Sequence, residues 1–319
     1  MIRSITLRTP WALLLGLAIG IAGGVTGWAV ATWVLGDERS DDRPILACST
    51  TQVADFARQV VGDRYNVQSI LSPGADPHLY EIKPSDAQLV VDSTLCAENG
   101  MHLEGGEWMR KLAEQAGKLD KLITCTDGVE PLKLEVEDET VDDPHTWFSP
   151  ANAKIYVNNI LEAVCQDDPD HEAEYRARAS LYLKQIDTLD VWAADQITAI
   201  PPSQRMLVTS HDAFNYFCQH FGLKSSAPVG WSTGSEIGGG LTPERRKAVI
   251  ESIRNSGVKA IFVETSVNPK LIREIAKEAG VEIGGELYSD SMGPPGSAGE
   301  TYLGMMRENV LTIVEALRE

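Results

Sequence analysis

The 319-residue chain holds no Cys-x-x-Cys pair, no His-Glu-x-x-His segment and no glycine-rich loop ending in lysine. Each absence removes a class of chemistry. Five scattered cysteines, Cys48, Cys96, Cys125, Cys165 and Cys218, without paired spacing exclude a zinc ribbon and a thioredoxin-type redox centre. The run GSEIGGG at 234–240 lacks the lysine and the strand-to-helix setting of a phosphate loop, so it reads as a turn. Positive charge is also scarce, with 28 Lys and Arg against 46 Asp and Glu, a formal net charge of −18. Nucleic acids and anionic lipids require the opposite balance, and neither is expected as a partner. What is present is ordinary for a folded protein: 43% hydrophobic and 23% charged residues, with length for two domains.

The first 43 residues stand apart. Trp11 to Leu35 form an uncharged apolar run of about 25 residues, and about 20 suffice to cross a bilayer. Arg3 and Arg8 precede the run, whereas Asp37, Glu38, Asp41 and Asp42 follow it. The positive-inside bias places the N-terminus in the cytoplasm and the rest outside. An uncleaved transmembrane anchor is favoured over a cleaved signal, because signal cores usually span only about 7–15 residues. Ala29-Val30-Ala31 nevertheless suits a signal peptidase. Ile45-Leu46-Ala47-Cys48 is similar to a lipoprotein processing box. It stands beyond a charged stretch, however, and reads better as a first strand.

From Pro44 onward, short strand-like runs alternate with amphipathic helical patterns, which argues for parallel sheets covered by helices. ILAC precedes a helix in which Val53, Phe56, Ala57, Val60 and Val61 share a face. NVQSIL, STLCAE and KLITC are further strands, and Cys48, Cys96 and Cys125 within these runs read as small core residues. A disulfide between any two cysteines stays open. RMLVTS, a strand near 227–230, KAIFVET and EIGGELY repeat the pattern in the second half. Between the halves, Tyr175, Ala179, Tyr182, Ile186, Leu189 and Trp192 recur every three or four residues, predicting one helix from about 169 to 199. Such a helix would reach about 45 Å and join two α/β lobes stiffly. The expected division is 1–43 anchor and linker, 44–168 first lobe, 169–200 linking helix and 201–319 second lobe.

Four metal-ligating side chains fall in loops beyond strand ends, where ligands of α/β sheets gather. His78 lies in PGADPHLYE, His145 in DDPHTWFSP, His211 directly after RMLVTS, and Asp290 after EIGGELYS. They stand 66 to 79 residues apart, two in each half, so a cation held by all four would join the lobes. Imidazole with carboxylate suits Zn²⁺, Mn²⁺ or Fe²⁺. The repeated Asp-Pro-His context adds weight, since proline restricts the backbone before each histidine. By residue type and position alone, a metal site and a set of capped, solvated side chains remain equally good readings.

The motifs PGADPHLYEIKPSD, DDPHTWFSP, TSHDAFNYF, KAIFVETSVNPK and LYSDSMGPPGSAGETYLGMMRENVLTIVEAL take the reading further. From about Ile45 to the C-terminus, the chain resembles the metal-binding family of ABC-transporter solute receptors that serves zinc and manganese importers. The resemblance implies two lobes on a rigid helix, with metal in the cleft between them held by His78, His145, His211 and Asp290. It also implies no enzymatic activity, a periplasmic or extracytoplasmic location, an ABC permease and ATPase as partners, and a monomer. Manganese receptors of this kind often carry Glu at the third ligand position, where this chain has His211. Zinc receptors often carry a histidine-rich loop before the second ligand, whereas DGVEPLKLEVEDETVDD is acidic without histidine. Three histidines and one carboxylate favour Zn²⁺, with Mn²⁺ next.

Neighbouring residues have plainer expectations. His102, His171 and His220 lack the loop-after-strand setting and read as surface or packing residues. Glu81 and Glu264 are candidates to orient ligand imidazoles, with surface or capping roles as the alternative. Trp147 and Phe148 are expected beside the site, excluding water. Ser210-His211-Asp212 is a poor triad, because triad members meet in space rather than in sequence. A secreted or membrane-anchored zinc hydrolase is the main rival function. A catalytic zinc usually keeps three protein ligands and an open position, which four ligands would close.

Overall fold

In the computed structural model, the described residues are 42–136, 139–226, 243–266 and 269–318. The apolar run Trp11–Leu35, the predicted strand at 227–230 and the turn at 234–240 lie outside them. Among the described residues no helix is long and apolar enough to cross a membrane.

The first half is built on a four-stranded parallel sheet in the order β2-β1-β3-β4. Its strands are β1 (Ile45–Cys48), β2 (Asn66–Ser69), β3 (Leu95–Glu98) and β4 (Leu122–Thr124). The central strands β1 and β3 are buried along nearly their whole length, which is why ILAC and LCAE carry no alternating polar face. Helix α1 (Thr51–Val61) starts where the Thr50 hydroxyl accepts from the Val53 N–H, and it buries the five apolar residues predicted for its inner face. Helix α2 (Pro84–Asp92) opens on proline, and the Asp86 carboxylate accepts from the Lys83 N–H. Helix α3 (Trp108–Gln115) ends ahead of Gly117, which takes the left-handed conformation.

The acidic stretch read from sequence only as a loop contains an antiparallel hairpin, β5 (Lys133–Val136) and β6 (Glu139–Asp142). Helix α4 (Pro150–Asp167) follows, opened by Pro150. The predicted long helix begins as a single 3₁₀ turn at Pro169–His171 and continues as α5 (Glu172–Ile197). Its 26 residues reach about 39 Å.

Beyond it come β7 (Met206–Val208), α6 (Asn215–Phe221), β8 (Lys224–Ser226), α7 (Pro243–Ser256), β9 (Ala260–Glu264), α8 (Pro269–Ala279), β10 (Glu282–Leu287) and α9 (Tyr302–Leu317). The pairs β7–β8 and β9–β10 are parallel. The fold is therefore α/β with parallel sheets.

One apolar core runs through α1, α4, α5 and α9. At its centre the Phe56 ring lies 5.4 Å from Tyr156, 6.4 Å from Tyr182 and 4.7 Å from Tyr302. Close ring packing of this kind adds to the burial of aromatic area. A second cluster, including Val208, Ile253, Ile261, Val263 and Ile275, fills the C-terminal half.

All five cysteines are free and buried. Cys48 lies in β1, paired to strands on both sides and fully buried, so the processing-box reading leaves no room for a lipid. Burial also pushes its thiol up to about 12, away from the reactive thiolate. Native protein should therefore show no thiol reactive to a chromogenic disulfide reagent on mixing. All five should react in guanidinium without reductant, a count that any disulfide would lower.

Candidate metal centre

His78, His145, His211 and Asp290 meet in space, with one potential ligand atom from each lying within 4.8 Å of all the others. Nε2 of His145 is 3.3 Å from Nε2 of His78 and 3.3 Å from Oδ1 of Asp290. Nε2 of His211 is 3.1 Å, and Nε2 of His78 is 3.9 Å, from Oδ2 of Asp290. Solvent is nearly excluded, the His78 side chain being the most exposed at 7%.

The loops that present these atoms are tied down locally. In both Asp-Pro-His segments the aspartate accepts the histidine's own backbone N–H, Asp76 Oδ1 at 2.8 Å and Asp143 Oδ1 at 3.0 Å. Proline sets the middle of each turn and aspartate closes it. The Pro77 carbonyl also accepts from the Gly105 N–H at 3.3 Å and from the Trp108 indole at 3.1 Å. A Cβ at Gly105 would stand 1.9 Å from the His78 carbonyl oxygen, so this close approach requires glycine.

His211 leaves the end of β7 with its N–H, like the Ser210 hydroxyl, donating to Glu264 Oε1 at 3.0 Å. Ser210 thus serves Glu264 rather than a triad.

The protons of the rings follow from what stands behind them. Nδ1 of His145 donates to Asp143 Oδ1 at 2.8 Å, which leaves the Nε2 lone pair facing the cluster. Nδ1 of His211 lies 2.5 Å from Glu264 Oε2, a charge contact rather than an aligned hydrogen bond, and again Nε2 faces inward. Nε2 of His211 and Oδ1 of Asp290 are buried and make no hydrogen bond. Lone pairs facing one another without an intervening donor are unfavourable unless protons or a cation occupy the centre.

Without a cation, protons fill that role. Burial disfavours the His145 imidazolium, but Asp143 and Asp290 together outweigh it and push the ring up to about 9. His211 is raised well above its ordinary value, Glu264 and Asp290 overcoming the same burial. Burial likewise opposes the Asp290 carboxylate, yet His211 and His145 hold it well below the carboxylate range. His78, with no carboxylate bonded behind its ring, is pushed by burial down to about 3.

Among the flanking residues, Glu264 takes the orienting position expected of it, whereas Glu81 is exposed and no described hydrogen bond joins it to the cluster. Asp143 was missed from sequence, though it opens the very motif that marked His145. It also accepts from Asn215 Nδ2 at 3.0 Å, which steadies its second oxygen. Trp147 packs edge-on to His145 with ring centres 5.5 Å apart, and Trp147 and Phe148 are buried as expected. His102 is exposed, His171 pairs with Asp168 and His220 with Asp190, all away from the cluster.

The four donors are sheltered together, His211 and Asp290 in the segments that follow the parallel strands β7 and β10 and His145 just beyond the β5–β6 hairpin. The family model described as zinc-uptake complex component A, periplasmic (ZnuA) matches residues 46–316. The chain is 35% identical to the manganese-binding lipoprotein MntA of Halalkalibacterium halodurans over 275 residues, 86% of this chain and 88% of that one. It is 30% identical to the manganese ABC transporter substrate-binding lipoprotein PsaA of Streptococcus pneumoniae over 313 residues, 97% and 99% of the two chains. Among solved structures, the periplasmic zinc binding protein TroA from Treponema pallidum superposes with a TM-score of 0.79 at 27% identity, covering 86% of this chain and 99% of that one. The chain belongs to the ZnuA family of metal-binding solute receptors of ABC transporters. It is accordingly not an enzyme, and the hydrolase reading is set aside.

The ring protonations give the metal-free fold a pH signature. His145 stands at about 9 when folded against an ordinary 6.5, so its contribution is full below 6.5 and is lost as pH rises through 9. His78 stands at about 3, so it costs stability as pH falls from 6.5 towards 3. Melts in chelator should show stability declining from pH 6.5 to 9.5, and Asp143→Asn should flatten that decline.

Proposed function

We propose that the protein is the extracytoplasmic receptor of an ABC importer, binding one divalent transition-metal ion through His78, His145, His211 and Asp290. It then delivers the ion to a permease driven by an ATPase. One observation carries the ligand assignment. Donors about 2.0–2.2 Å from a tetrahedral ion lie about 3.3–3.6 Å from one another. The Nε2 atoms of His78 and His145 stand 3.3 Å apart, and those of His145 and His211 stand 3.3 and 3.1 Å from the two Asp290 oxygens, close to that spacing, with His78 farther from Asp290 at 3.9 Å. A carboxylate hydrogen-bonded behind His145 and one in charge contact behind His211 make their Nε2 atoms more basic, a common arrangement behind metal-bound imidazoles.

Zinc is the preferred cargo on this reading, with manganese next. Three imidazoles and one carboxylate hold Zn²⁺ more tightly than Mn²⁺ in the general order of affinities. MntA and PsaA are named for manganese, whereas the family model and TroA are named for zinc, so the preference rests on ligand chemistry alone. Residues 44–168 and 201–319 are read as two lobes contributing two ligands each, with 169–200 as the helix between them. The apolar run at 11–35 is read as the membrane tether, and the receptor as a monomer.

Titration of chelator-treated protein with Zn²⁺ and Mn²⁺ tests the assignment. The expected result is one equivalent bound, zinc tighter, and a large loss of affinity on replacing Asp290 or His145 with alanine. Affinity for both metals no tighter than about micromolar, about −8 kcal/mol, would overturn the proposal.

Binding should also exchange protons for metal, because the ligand nitrogens must be neutral. At pH 7 His145 and His211 each hold a proton in the metal-free site, whereas His78 holds none. Calorimetry in buffers of different ionisation enthalpy should therefore report release of about two protons per ion. Affinity should rise with pH between 6 and 8 and weaken on acidification.

A further inference from the structure

Asp290 belongs to the second half by sequence, but three hydrogen bonds to its segment come from the first. The Thr51 hydroxyl accepts from the Met292 N–H at 2.9 Å and donates to Gln52 Oε1 at 2.9 Å. The Gln52 amide then donates to the Ser289 carbonyl at 3.0 Å. The donor directions form one consistent chain, since the Met292 amide can only donate and the Ser289 carbonyl can only accept. Thr51, Gln52, Ser289 and Met292 are all buried. The first turn of α1 thus grips the backbone on both sides of Asp290, at the preceding residue and two residues beyond. A third tie runs from the Gly74 N–H, in the loop that carries His78, to the Ser291 hydroxyl at 2.7 Å. From its own half, Asn309 bonds both backbone groups of Tyr288, at 2.9 and 2.7 Å, and the Ser266 and Ser289 hydroxyls bond at 2.9 Å. The Asp290 carboxylate itself receives only a long 3.5 Å contact from the Ser266 hydroxyl.

Two buried side chains of α1 thus tie the segment that carries the Asp290 carboxylate. Buried hydrogen bonds with fixed direction are costly to break and so specify one arrangement. The apolar residues of the same helix, Val53, Phe56, Ala57, Val60 and Val61, are buried in the core, which anchors its first turn.

We propose that Thr51 and Gln52 are positioning residues for Asp290, fixing its carboxylate in the donor cluster so that the first half of the chain sets the affinity of a ligand from the second. This inference rests on the metal-receptor reading above. Neither side chain touches the metal; each acts through the Ser289–Met292 segment.

The test measures Zn²⁺ affinity of the full chain by competition with a chromogenic chelator, for Thr51→Val, Thr51→Ser and Gln52→Met, each alone and with Asp290→Ala. Thr51→Val and Gln52→Met should weaken binding about tenfold or more, the usual range for residues that support metal ligands. Thr51→Ser, which keeps the hydroxyl, should restore most of the loss. In the Asp290→Ala background the same substitutions should cost little further, because the residue they act through is gone. The visible spectrum of bound Co²⁺ should also change in Gln52→Met, reporting altered coordination rather than general loosening. Wild-type-like affinity in both variants, or a loss of undiminished size beside Asp290→Ala, would overturn the inference while leaving the receptor reading intact. Wild-type protein that binds no Zn²⁺ would overturn both. If Gln52→Met fails to fold, the comparison of Thr51→Val with Thr51→Ser decides.

Discussion

Three imidazole nitrogens and a carboxylate oxygen pressed to within hydrogen-bond distance, with water excluded, form an arrangement that four neutral or negative donors cannot hold unaided. Much of the chain is arranged to sustain it. Asp143 and Glu264 stand behind two of the rings and determine which nitrogen faces inward. Tight Asp-Pro-His turns fix two of the backbones, and Gly105 lets a neighbouring loop press directly on the first. With protons in the centre the cluster is tolerable, and with a doubly charged ion it becomes favourable. On the function proposed above, capture of an ion would replace one kind of positive charge by another within a preformed frame.

The frame depends on where the core lies. Phe56, Tyr156, Tyr182 and Tyr302 bring α1, α4, α5 and α9 together, so helices from both ends of the chain share one apolar centre. Polar bonds ride on that packing: the Tyr302 N–H reaches Asp55 at 2.9 Å, and the Tyr302 hydroxyl reaches the Trp147 carbonyl at 2.9 Å. Trp147 in turn packs on His145. A short path therefore leads from the centre of the core to a donor atom.

Much of this was legible in the sequence, for physical reasons that differ by feature. The inner face of α1 and the long α5 were readable because apolar residues repeat at helical spacing over several turns. The four donors were nominated by loop position, and their grouping by resemblance to known receptors. Asp143 has no signal in the sequence beyond its place in the Asp-Pro-His motif, although it both closes the turn and orients the ring. Glu81 drew attention by nearness in sequence to His78, but the chain turns it outward. The β5–β6 hairpin was obscured by its acidic composition, which lacks the β-branched and aromatic density of an ordinary strand. The grip of Gln52 and Thr51 on residues 237 and 241 positions away had no local signature at all.

That last feature bears on how such receptors can be recombined. If each half of the chain were a self-sufficient cassette, metal preference could be moved between relatives by exchanging residues 201–319 alone. With Thr51 and Gln52 positioning Asp290 as proposed, exchange of that half alone would not suffice, for the transplanted aspartate would meet a foreign first turn of α1 and settle where that turn allowed. The transferable unit would then be Asp290 together with its distant anchor in α1, and a graft cut between the two halves would divide that unit in two.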